Sequence, residues 1–175
     1  KSEKSSMHIL EDLGIKPIII PEMQRSINPF LDRIAIKKIK KIIEDFKPDI
    51  VHTHAAKAGA LGRKAAYNAG VKQIYHTFHG HVFHSYFGRI KTNIYKKIER
   101  DLAKKSTKII AISPIQKKEL SIVHKICKPK KIEVIPLGFD LSKFNENKVL
   151  KRERFRKKWN IKDSEVAIGI IGRLV

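Results

Sequence analysis

Six of the chain's eight histidines fall between positions 52 and 84: His52, His54, His76, His79, His81 and His84. They follow the apolar parts of two short runs, Ile50-Val51 and Ile74-Tyr75, and so gather where two strands would end. Imidazole titrates near neutrality, ligates metals and both donates and accepts hydrogen bonds. Three kinds of chemistry therefore compete. A zinc site could use the His-x-His pairs, but no Cys joins in and no carboxylate is placed as a fourth ligand. Histidines that only fix a loop by hydrogen bonding are a second reading. The third, favoured here, is an imidazole or backbone amide facing a polar or phosphorylated substrate.

Other catalytic patterns are weaker. Ser113 precedes Pro114 and stands three residues before Gln116, which makes it a helix cap rather than a nucleophile. Neither a Gly-x-Ser-x-Gly elbow, nor a P-loop, nor a Gly-x-Gly-x-x-Gly fingerprint occurs. Asp and Glu are scattered among lysines, so no catalytic carboxylate pair stands out. Gly59 and Gly62 in an Ala-rich stretch suit a helix packed closely on a sheet or approached by a ligand.

The elements that must position these groups follow from periodicity. Residues 8–14 read as a helix end stopped by Gly14, followed by a strand at Pro17-Ile18-Ile19-Ile20. Asp32 is a candidate cap for a helix with Ile34, Ile39, Ile42, Ile43 and Phe46 on one face and lysines mostly on the other, ended by Pro48. A strand at 49–54, a helix at 55–69 ended by Gly70 and a strand at 73–78 come next. A polar and aromatic loop to about Gly88 precedes a helix with Ile90, Ile94, Ile98 and Leu102 every four residues. Strands at 108–112 and 132–136, a turn at 137–140, a helix at 148–159 and a last strand at 166–172 complete the order. Alternating strands and helices predict an α/β fold of parallel βαβ units in a doubly wound sheet. Ligands of such sheets bind at the carboxyl ends of the strands, where the histidines gather.

Composition excludes several classes. At 175 residues, with 9 Gly, 7 Pro and the single Cys127, the chain is neither collagen-like nor built on disulfides, and one thiol fits a reducing compartment. No apolar run approaches the roughly 18 residues of a membrane-spanning helix. Lys1 to Ser6 contain no initiator Met and no signal-peptide pattern, which predicts that the sequence is a piece of a longer product. The formal charge of +21 suggests nucleic acid or anionic lipid as a partner. Twenty-nine of the 38 basic residues are Lys, however, and Arg is the better reader of phosphate and guanine. Residues 89–131 carry fourteen basic and three acidic side chains, a net of +11, and form the electrostatic face.

Seven segments together resemble glycosyltransferase family 4: Arg25-Ser26-Ile27-Asn28-Pro29, Pro48 to His54, Lys57 to Arg63, His76 to Phe83, Ile110 to Ser113, Val134 to Asp140, and Gly172-Arg173-Leu174. They keep the family's order and spacing across nearly the whole chain. The resemblance implies a GT-B fold, two Rossmann-like domains facing a cleft, and retaining transfer of sugar from a nucleotide-sugar donor. Residues 1–145 would be most of the N-terminal, acceptor-side domain, a Rossmann-like parallel sheet flanked by helices, without the family's first strand and Gly-rich loop. Residues 146–165 would be a linker, and 166–175 the first strand of the C-terminal, donor-binding domain. The family's C-terminal glutamate pair and donor-side Lys would lie beyond Val175, and turnover by the 175 residues alone is not expected.

Carried over by motif, His79 matches the cleft histidine near the transferred sugar, the catalytic position. Gly80 would let the backbone approach the donor, and Gly172 and Arg173 would meet the donor diphosphate, whose growing charge a fixed guanidinium stabilises. His81, Phe83, Tyr86 and Arg89 fall in the variable acceptor-side loop, with packing on the neighbouring helix as the competing use of its aromatic residues. Pro114 and Leu137 stand where relatives carry Glu and Asn, so those polar contacts are not carried over. No cofactor and no metal are expected, the nucleotide sugar being a substrate. The expected partners are that donor, a lipid-linked or glycan acceptor of cell-surface polysaccharide or glycoconjugate synthesis, and an anionic membrane met by the basic face 89–131. The implied location is cytoplasmic and peripheral, on the inner face of the cell membrane. The competing reading is a noncatalytic basic α/β module for nucleic acid or a sugar nucleotide, which would need no His79.

Overall fold

The computed structural model describes residues 10, 12–24, 26–80, 83, 88–170 and 172. The chain divides after Pro136 into two units. The last ladder bond of the sheet runs from the Ile135 amide to the Ala111 carbonyl at 2.9 Å.

The first unit opens with α1 (Pro29–Phe46). Asn28, not Asp32, caps it, its side-chain oxygen accepting from the amides of Phe30 and Leu31 at 3.1 and 3.2 Å. Pro29 at the first helical position has no amide to satisfy. Lys47, in the left-handed region at φ 52°, ends the helix just before Pro48. Then follow β1 (Ile50–His54), α2 (Ala56–Asn68), β2 (Gln73–Phe78), α3 (Arg89–Lys105), β3 (Lys108–Ala111), α4 (Pro114–Lys118) running into a π-helical turn (Glu119–Val123), and β4 (Ile132–Val134). Ser113 caps α4 as its spacing predicts. Its hydroxyl accepts from the Gln116 amide at 3.1 Å, and the Gln116 side chain accepts from the Ile112 amide at 2.9 Å.

The four strands pair in parallel in the order β1-β2-β3-β4. This order never reverses, so the switch that a doubly wound sheet requires is not among these strands. Side chains alternate across the sheet. Val51, Thr53, Ile74, His76, Phe78, Ile109, Ala111 and Ile132 share one face, and most of them are buried. One core cluster joins Ile43 of α1, Ala65 and Ala66 of α2, and Ile74 of β2. A second joins Phe78, Phe83, Ala103, Ile109, Ala111, Leu120, Ile126 and Ile132. The other face is more polar, carrying His52, His54, Tyr75, Thr77, Lys108 and Glu133, the last two ion-paired at 2.6 Å.

Small residues let α2 lie against the strands. An ideal Cβ on Gly59 would stand 2.3 Å from His76 Cε1, and one on Gly62 would stand 2.9 Å from Thr53 Cγ2. Both glycines are therefore packing residues. Across the helix layer, Arg63 of α2 binds Glu99 of α3 through Nη2 at 2.8 and 3.0 Å and donates from Nε to the Gly59 carbonyl at 3.0 Å. Burial pushes the Glu99 carboxyl up, and the guanidinium beside it opposes that shift.

Two expected strands are not strands. Pro17–Ile20 and Val166–Ile170 have no ladder partner among the described residues, and Ile18, Ile19, Val166, Ile168 and Ile170 are exposed. An apolar run becomes a strand only when a neighbour takes its amides and carbonyls. The second unit, 137–175, contains α5 (Ser142–Asn145) and α6 (Lys148–Lys158). Arg156 closes its last turn by donating to the carbonyls of Lys162 and Glu165.

Candidate functional site

Parallel register places Thr53 beside His76 and His54 beside Thr77, so β1 and β2 end together. His79 stands one residue beyond β2. His54 Nδ1 and His79 Nε2 lie 2.9 Å apart, with the rings stacked at 5.2 Å between centroids. His52, two residues before His54 and on the same face, has its ring centroid 4.3 Å from that of His54, and its Nε2 lies 2.8 Å from Thr77 Oγ1. Three imidazoles therefore form a continuous exposed row at the carboxyl end of the sheet. Partial burial, then the neighbouring His52 and His79, hold the His54 ring below the usual histidine range. His54 is thereby disposed to act as a neutral donor and acceptor between its two neighbours.

His76 has a different role. It is buried on the opposite face, with Nδ1 3.0 Å from Thr53 Oγ1. The Thr53 hydroxyl gives its one proton to the Tyr75 carbonyl at 3.1 Å, so Nδ1 of His76 is the donor in their contact. Burial first, then the Arg63 charge, lowers the His76 pKa to about 3. This imidazole is a neutral core group that locks β1 to β2.

The chain leaves His54 through Ala55, whose φ of 61° and ψ of 162° belong to a region that residues with a side chain rarely adopt. That single residue turns β1 into α2. The α2 amino terminus has no side-chain cap, and its helix dipole adds positive potential beside the histidine row. Lys57 fixes the start of α2 to that of α1, ion-paired to Asp32 at 2.6 Å and donating to the Ser26 carbonyl.

Other residues expected at the site divide. Gly80 is exposed, and a Cβ there would meet no atom within 4 Å, so the space beside it is open. Phe83 packs in the core, its ring centroid 5.0 Å from that of His124. Arg89 is exposed at the first position of α3. Gly172 is exposed in the second unit. His81, Tyr86 and Arg173 lie outside the described residues. Among the described residues no group of three His, Cys, Asp or Glu is placed to hold a metal ion. Sequence reading missed the link from His54 to His79. Its signal was the His-x-His spacing, which puts His52 and His54 on one strand face.

The family model for Glycosyltransferase Family 4 matches residues 6–143. The chain belongs to glycosyltransferase family 4. It is 34% identical over 163 residues to an Escherichia coli protein described as UDP-Gal:alpha-D-GlcNAc-diphosphoundecaprenol alpha-1,3-galactosyltransferase, covering 93% of this chain and 42% of that protein. A crystal structure described as a glycosyltransferase from Rickettsia africae aligns with a TM-score of 0.65 at 26% identity, over 90% of this chain and 39% of the other. The chain thus spans about two fifths of each relative's length. Within family 4, Thr77-Phe78-His79-Gly80 is the stretch that the structure places at the carboxyl end of β2, next to β1 and the start of α2.

Proposed function

We propose that this chain is the acceptor-side part of a retaining glycosyltransferase that moves a sugar from a nucleotide-sugar donor to a lipid-linked acceptor in cell-surface glycoconjugate synthesis. The observation that carries the reading is the His54–His79 pair at the strand ends, beside the open space at Gly80. With Nε2 of His79 engaged by His54, Nδ1 remains to meet a sugar hydroxyl or phosphate oxygen, and the α2 dipole favours that anionic ligand. The leaving nucleoside diphosphate gains charge as the glycosidic bond breaks, and a cation held beside it would stabilise that charge. The relative's substrates suggest a UDP-hexose and a sugar on a polyprenyl diphosphate. The basic stretch 89–131 would meet anionic lipid on the inner face of the membrane.

The test uses the full-length protein with UDP-galactose and a GlcNAc-diphospho-lipid, following the glycosylated lipid by mass spectrometry. His79→Ala should lower turnover at least a hundredfold, about 2.7 kcal/mol of transition-state stabilisation. Undiminished turnover would remove His79 from the site. A preference for duplex DNA with no transfer to any lipid acceptor would favour the noncatalytic module.

A further inference from the structure

Only the Leu102 end of the four-residue repeat in α3 faces the core. A step of four residues advances about 40° around a helix, so a row at that spacing winds across its surface. Exposure along the row falls from 80% at Ile90 to 53% at Ile94, 44% at Ile98 and 4% at Leu102. The inward side of α3 is instead made by Tyr95, Glu99, Leu102 and Ala103. Three isoleucines are left in solvent on one stripe, where a surface helix ordinarily carries polar residues.

Cations surround that stripe. Lys91, Lys97 and Lys104 are exposed, and Arg89 opens the helix. Of the two acids on α3, Glu99 is buried against Arg63 and Asp101 is paired with Lys105 at 2.5 Å. An apolar stripe bordered by lysines is the pattern of a helix that lies in a lipid interface. No described helix is long and apolar enough to cross a membrane. Nucleic acid would satisfy the lysines and leave the isoleucines in water.

We propose that α3 lies along an anionic membrane surface with Ile90, Ile94 and Ile98 in the acyl-chain boundary and Lys91, Lys97 and Lys104 among the lipid phosphates. This deepens the lipid-acceptor reading and rests on it for its purpose. The binding itself is tested without any transfer reaction.

The experiment is co-sedimentation of the full-length protein with phosphatidylglycerol–phosphatidylcholine vesicles and with pure phosphatidylcholine vesicles, at low and high salt. Binding should require phosphatidylglycerol, and salt should weaken it without abolishing it. Serine at positions 90, 94 and 98 together should lower the partition coefficient at least tenfold. Glutamine at 91, 97 and 104 should lower it roughly fivefold per lysine. Ile94→Trp should add an indole signal, over that of the parent, that brominated acyl chains quench, a readout that does not depend on the triple variant folding. Wild-type binding by the triple serine variant, an unquenched indole, or equal capture by duplex DNA would each overturn the proposal. With a short-chain, water-soluble acceptor the triple variant should turn over like the parent, and loss there would also overturn it. If the parent transfers no sugar, the lipid-acceptor reading fails while the vesicle result still stands.

Discussion

His54 Nδ1 meets His79 Nε2 at 2.9 Å across the ends of two parallel strands. A neutral imidazole has one N–H and one bare nitrogen, so the contact holds a single proton and fails when both facing nitrogens are protonated. His54 thereby fixes which nitrogen of His79 is left for a ligand.

Replacing His54 tests that dependence. In the full-length protein, under the proposed transfer reaction, His54→Ala should lower kcat roughly ten- to a hundredfold with little change in KM for the donor, because a mispositioned group costs transition-state rather than ground-state binding. His54→Asn, whose amide can stand in for Nδ1, should recover most of it. An alanine variant with the parent's kcat would show that His79 needs no partner.

Two glycines should respond in opposite ways. Gly59→Ala forces a Cβ to within 2.3 Å of the buried His76 ring. The ring is tied to Thr53, so the fold should lose about 1–3 kcal/mol or more, read by urea denaturation. Gly80→Ala meets no atom within 4 Å and should leave the melting temperature unchanged while reducing turnover. Full activity in that variant would mean that no ligand uses the space.

Acid should loosen the junction between β1 and β2. The folded-state pKa of His76, about 3, lies below its ordinary 6.5, so the unfolded chain takes up the proton first. The contribution is complete above the ordinary value and is lost as pH falls from there towards the folded value. Between about pH 6.5 and 5 this amounts to roughly 2 kcal/mol, and His76→Asn should flatten that part of the profile. Parallel profiles for the two proteins would assign the acid sensitivity elsewhere.

The Arg63–Glu99 pair should show the asymmetry of a buried ion pair. Glu99→Gln leaves a buried guanidinium without its counter-charge and should cost about 3–5 kcal/mol, whereas Arg63→Met with Glu99→Leu should recover much of that loss. A double variant no more stable than the single would contradict this account.

Local signals were legible and relational ones were not. The strands around Val51, Ile74, Ile109 and Ile132 and the cap at Ser113 follow from short apolar runs and one side-chain hydrogen bond, both written in neighbouring residues. The runs at Pro17–Ile20 and Val166–Ile170 look the same in sequence, but a strand also needs a partner that composition does not name. Asn28, just before Pro29, takes the cap expected of Asp32, which lies inside the first turn and pairs with Lys57 instead. The isoleucine row of α3 satisfied a helical spacing without indicating which part of the row turns inward. At the candidate site, the place of His79 just past a strand was readable from the apolar run before it, while its contact with His54 required the register of β1 on β2.

Ala55 carries the chain from strand to helix within one residue, at a backbone angle that costs about 1–3 kcal/mol. A joint this short has no slack. The strand bearing His52 and His54 and the start of α2 are therefore joined with no loop between them to absorb a displacement. A hinge that opens the site to a substrate is therefore expected outside this junction, where the connections are longer.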